Sequence, residues 1–211
     1  ELKAERGQRQ ISQASPSSGD PAVPRSGMVS DFESGKPVSR YGAGWSVFDD
    51  NEVGGESSAE ISVIKEGAHR SKYSLLVKGY IEDDISSPAA GAMFSPGKSL
   101  MAPVDLSSRK AILFWARGGR IGQTCQLAVF GRSNGNEMAK RRFRAGLEWK
   151  KYSKTDIPSF VTFLAGPGWR KYKFLFLQFP GVDQHQVTGI LFSGGPSPGP
   201  FGFEIDDVQI R

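Results

Sequence analysis

Apolar and polar residues alternate over short runs along this chain, and no segment sustains a long helical period. In "EISVIKEG", Ile61 and Val63 alternate with polar neighbours. In "KYSLLVKGYIE", Tyr73, Leu75 and Val77 share one face, with Leu76 and Tyr80 off that register. "KAILFWARGG" is nearly all apolar and stops at a glycine turn. "TCQLAVFGRSNGN" reads as a strand closed by an Asn-Gly turn, with "AKRRFRAG" suited to return as a hairpin. "KYKFLFLQFPG", "TGILFSGG" and "FGFEIDDVQIR" complete the strands, and Gly, Pro, Ser and Asn punctuate the gaps. The pattern predicts an all-β chain folded as an antiparallel β-sandwich. Strands apolar on both sides predict a second face that is partly covered or forms a cleft.

Residues 1–27 break the pattern. "ELKAERGQRQISQASPSSGDPAVPRSG" is polar, rich in Ser, Pro, Gly and charge, and poor in aromatics. It buries too little apolar surface to offset its ordering entropy, so it reads as an irregular N-terminal linker or tail before a folded unit at 28–211. The chain opens on Glu1, which suggests a processed product or a piece of something longer. No apolar run reaches membrane-spanning length, so no membrane span is expected.

Charge is uneven. The net charge is +5, yet residues 140–173 hold ten Lys or Arg against Glu148 and Asp156. Such a window can meet anionic partners. A solvated edge strand, where lysine discourages edge pairing, gives the same composition and is preferred. Arg142, Phe143, Arg144, Trp149 and Tyr152 interleave bases with rings. Strand cores beside lysine edges look alike, and no nucleic-acid partner is expected.

Known catalytic patterns are missing. Cys125 is the single cysteine, which excludes an internal disulfide and a multi-cysteine zinc site, and it sits in an apolar strand as a small core residue. His69 and His185 lack metal-ligand spacing. There is no Gly-x-Ser-x-Gly elbow, P-loop or dinucleotide glycine pattern. The densest acidic stretch is "GWSVFDDNEVGGESSAE". As an EF-hand loop it places Val53 where an oxygen ligand belongs, and its flanks read as strands. As a glycosidase pair, the neighbours Asp49 and Asp50 would point to opposite faces of a strand. Carboxylates also gather near both ends of the folded region, at Asp31 and Glu33 and at Glu204, Asp206 and Asp207. If the first and last strands pair, these groups meet, and they would repel unless solvated or neutralised by a cation.

"DFESG" at the start, "GWSVFDDNEVGGESSAE" soon after, "AILFWARGG" and "FRAGLEWKKY" in the middle, and "PGPFGFEIDDVQIR" at the end occur in an order that resembles the complex I intermediate-associated protein 30 family. That family is a galactose-binding-domain-like jelly roll similar to carbohydrate-binding module family eleven. The motif residues are Trp45, Asp49 or Asp50, Gly54, Gly55, Ser57 and Ser58, and Glu52-Val53 departs from the Val-Met of many members. The resemblance implies a non-catalytic module of a larger, secreted or periplasmic bacterial protein, binding carbohydrate. The alternative is an assembly-factor-like structural or protein-interaction module, with an adjacent domain as partner. It also implies a structural calcium joining first and last strands, with Asp31, Glu33, Asp206 and Asp207 as candidate ligands. Sugar recognition needs aromatic faces beside polar side chains. Trp115 and Arg117 share one face of their strand, opposite Phe114 and Ala116. With Gln126, Phe130 and Arg132 from the next strand they make the expected cleft, unless Trp115 fills a covered second face.

Overall fold

The computed structural model describes residues 23–85, 87–119, 122–131 and 159–211. Two antiparallel sheets face each other as a sandwich, and no α-helix occurs among the described residues. The first sheet contains β1 (Met28–Ser30), β3 (Ser58–Lys65), β4 (Tyr73–Ile81), β6 (Ala111–Gly118), β9 (Arg170–Leu175) and β11 (Gly199–Ile210). Its order is β3-β4-β11-β6-β9, with β1 laid against the end of β11. The second contains β2 (Gly44–Phe48), β5 (Gly91–Ser95), β7 (Gln123–Gly131), β8 (Ser159–Ala165) and β10 (Val187–Ser193), in the order β2-β5-β10-β7-β8.

Alternation decides which side chains fill the space between the sheets. Leu75, Val77, Phe114, Ala116, Phe203 and Ile205 from the first sheet meet Phe94, Leu127, Val129, Phe163 and Phe192 from the second, all buried. Phe114 stands edge-on to Phe163 and Phe192 at centroid distances of 5.2 and 5.0 Å, the perpendicular geometry that ring quadrupoles favour. Trp45 packs inward against Phe32, Phe94 and Phe192 and donates its indole N–H to the Ser30 hydroxyl at 2.8 Å. Its polar edge is therefore satisfied within the core.

The folded unit begins before residue 28. Val23 packs against the core, and the Arg109 guanidinium donates to the carbonyls of Val23 and Pro24. Residues 1–22 lie outside the described residues, as do the expected hairpin partner "AKRRFRAG" and most of the basic window. Strand β9 is shorter than its apolar run predicts. It ends at Leu175, whose N–H donates 2.7 Å to the Gln178 side chain, and a 3-10 turn at Phe176–Gln178 carries the chain away.

Candidate functional site

The acidic stretch is a lock. Asp50 is buried, and its two carboxylate oxygens accept the backbone N–H groups of Ser57 (2.9 Å) and Ala89 (3.0 Å). A 3-10 turn at Asn51–Val53 ends at Gly54, whose φ of +93° suits glycine. Gly55 lies so close to the Asp50 carboxyl that an added Cβ would come within 2.4 Å of its Cγ. The buried Ser57 hydroxyl accepts the N–H of Glu82 at 3.1 Å. Asp49 only caps the turn, through the Asn51 N–H.

Trp115 and Arg117 do share the outward face of β6, opposite the fully buried Phe114. The expected continuation onto β7 is corrected. Strand β6 pairs with β11 and β9, while β7 pairs with β10 and β8 in the other sheet. Gln126 and Phe130 thus lie on the opposite outer face of the sandwich. Arg132 falls outside the described residues. What joins Trp115 and Arg117 comes from β9, β11 and the β3–β4 loop. Arg117 grips Glu204 with Nε and Nη2, both at 2.9 Å, reaches Glu66 at 3.2 Å, and lies over the Trp169 ring at 4.9 Å. Ser74 donates to the same Glu204 carboxylate at 2.8 Å. Glu204 holds the Arg117 guanidinium firmly protonated, with its pKa raised further. Trp115 meets His69 at 4.1 Å, ring planes perpendicular, and carries the Lys171 ammonium 5.8 Å from its centroid. The result is a strip of two half-buried indoles interleaved with cations. Trp169 and His69 escape sequence reasoning because their contacts come from the register of β6 against β9 and from a loop folding back. The sequence signal that could have found Trp169 is its place in "GWRKY", at the entry to an apolar run.

The four carboxylates offered for calcium gather where β1, the β3–β4 loop and β11 meet. A one-residue bulge in β11 places Asp207 at φ +49° and aims Asp206 under the loop. Three of the groups already have a hydrogen-bond donor or a paired cation. Asp31 pairs with Arg40. Glu33 accepts the Ser71 hydroxyl and the N–H groups of Lys72 and Tyr73. Asp206 accepts the N–H groups of Ala68 and Asp207. Burial first, and then the neighbouring Asp31, raise the Asp207 carboxyl against the opposing fields of Lys171 and His69. Burial pushes the Asp206 carboxyl up to about 6, against those hydrogen bonds. Among the described residues no three such side chains converge as a metal-holding group. The arrangement does not fit a calcium unless Arg40 and the N–H donors give way.

The outer face of the second sheet is apolar. Phe48, Met93, Ala128, Phe130 and Leu191 form a cluster separate from the main core, with Met101 packed on it. A pocket of about 260 Å³ opens beside it, walled by Phe48, Met93, Leu100 and Met101 and rimmed by Asp49 and Glu52. Phe160 and Leu164 stand exposed on β8. Cys125 is buried between the sheets with its thiol pushed up to about 12 by desolvation, which leaves it without nucleophilic character at neutral pH.

No family model matches the chain, and no curated protein matches it. Solved structures do. The fold is similar to the family 11 carbohydrate-binding module of the cellulosomal cellulase Lic26A-Cel5E of Clostridium thermocellum, with TM-score 0.58 and 14% identity over 87% of this chain and 92% of that one. A family 11 module from the same organism, in complex with a β-1,3-1,4-mixed-linked tetrasaccharide, gives 0.57 and 13% over 92% and 96%. The CBM22-1 xylan-binding domain of Paenibacillus barcinonensis Xyn10C gives 0.50 and 15% over 87% and 93%. The comparisons do not support membership of the complex I intermediate-associated protein 30 family. They show that this chain has the β-sandwich fold of carbohydrate-binding modules.

Proposed function

We propose that the chain is a non-catalytic carbohydrate-binding module of a secreted or periplasmic protein, and that its ligand surface is the outward face of β6 and β9. The observation that carries this reading is the strip of Trp115, Arg117 and Trp169. Two indoles offer apolar faces for sugar rings, and the Arg117–Glu204–Ser74 network beside them is held rigid for hydroxyl recognition. The fold shared with a module solved in complex with a tetrasaccharide supports it. On this reading the chain binds its ligand without turning it over.

The test is calorimetric titration with a panel of soluble neutral and acidic polysaccharides. Binding is expected for at least one, and Trp169→Ala is expected to abolish it while the far-ultraviolet spectrum and melting stay close to those of the parent. Silence across the panel, or binding indifferent to Trp169→Ala, overturns the assignment. A second reading has its own observation, the apolar cluster and exposed Phe160 and Leu164 on the opposite face. There the module packs against an adjacent domain, and Phe160→Glu with Leu164→Glu would break that association and leave polysaccharide binding intact.

A further inference from the structure

We infer that the ligand of the β6–β9 face is an acidic polysaccharide of the polyuronate class; this rests on the carbohydrate-binding reading above. Strand β9 reads "RKYKFL", and Lys171 and Lys173 both point outward beside β6, opposite Trp115 and Leu113. Both lysines are exposed. Among the described residues the Lys171 ammonium meets the Trp115 ring and the field of Asp207 but forms no ion pair, and Lys173 has no acid partner among the described ion pairs. Arg170 is exposed at the same edge and likewise unpaired among the described residues.

This differs from the rest of the face, where charge is already spent. Arg117 is neutralised by Glu204 and Glu66, so it orients a ligand more than it attracts one. Asp31 and Glu33, between β1 and β2, and Asp206 of β11 face Arg40 and backbone N–H groups. The surface is thus a row of indole faces with the Lys171 and Lys173 ammonium groups along one side, neither of them in an ion pair among the described residues. Side chains two apart on a strand stand about 7 Å from each other, a spacing that lets two ammoniums engage carboxylates on one extended sugar chain. A neutral glucan would stack on the same indoles but leave both ammoniums facing only water. A carboxylated sugar gains charge-assisted hydrogen bonds in the same pose.

The experiment titrates the full chain with polygalacturonate and, separately, with a neutral mixed-linkage β-glucan, at low and high salt, for the parent and for Lys171→Gln with Lys173→Gln. Expected are binding of polygalacturonate that weakens with salt, a preference over the neutral glucan, and about tenfold weaker polygalacturonate binding in the double variant. Neutral glucan bound as tightly as polygalacturonate, with no effect of the lysine changes, overturns this inference and leaves the carbohydrate reading standing. Polygalacturonate binding unchanged in the double variant overturns the site. Equal displacement of polygalacturonate by duplex DNA marks an unselective polyanion surface and overturns the polyuronate class. Binding of neither polysaccharide overturns this inference, and silence across the wider panel removes the carbohydrate reading as well.

Discussion

Asp50 shows how one side chain can hold three segments. Its carboxylate receives N–H groups from Ser57 and from Ala89, 39 residues away, and the missing side chain of Gly55 gives it room. Asp50→Ala leaves two buried donors without an acceptor, a loss on the order of 3 kcal/mol. Gly55→Ala forces a methyl group into the carboxylate and costs about 2 kcal/mol. Urea unfolding of each variant, read as a shift in midpoint at constant slope, checks both. At this scale the sequence was informative. Alternation put Trp115 and Arg117 on the face opposite Phe114 and Ala116. What spacing could not show is that Asp50 and Asp49 divide the work, one buried and one at the surface, because that depends on Ala89 arriving from far along the chain.

Elements depend on partners more than on their own residues. "GAMFS" becomes β5 although it is five residues long and buried on both faces, so no alternation marks it. β8 was missed for a related reason, since its outward Phe160 and Leu164 are as apolar as its inward Phe163. The candidate site was half legible for the same cause. The Trp115–Arg117 pair follows from period two, but the assumption that β7 extends it failed, because chain neighbours here fall in different sheets. One contact between elements titrates. Asp105, ahead of β6, pairs at 3.0 Å with His185 in the 3-10 turn at Gln184–Gln186. Ser107 above all, and then His185, hold the Asp105 carboxyl down at about 2, while Asp105 raises the His185 imidazole. The lowered acid adds stability above its ordinary value of 3.8 and loses it as pH falls through about 2. The raised base adds stability below 6.5 and loses it as pH rises through its higher folded value. The two contributions overlap between about pH 4 and 6.5. His185→Ala should therefore melt slightly below the parent at about pH 5.5 and equally with it at about pH 9, in paired thermal scans.

At the scale of the whole molecule, the two outer faces differ in kind: one aromatic and charged, the other apolar. The joint between first and last strands is closed by Arg40 and a set of N–H donors. With these in place, adding calcium or a chelator should leave the melting temperature unchanged. A fall on chelation would show that a cation displaces Arg40 and binds the carboxylates. The antiparallel sandwich was readable because its strands are short and evenly punctuated. The meeting of both ends at one seam was stated only as a condition, since pairing across nearly the full chain leaves no local trace.

That seam has a mechanical consequence. Met28 lies opposite Gln209, and the Ile210 N–H donates to the Gly27 carbonyl, so the outer ends of β1 and β11 lie side by side. Tension applied between them does not shear the strands past one another. It peels them apart rung by rung, first at Gly27, then along the three residues of β1, until the load reaches Asp31 and Glu33. Once Val23 and Pro24 are freed from Arg109, a pull in this direction is expected to strip β1 before the layer of Phe114, Phe163 and Phe192 bears force.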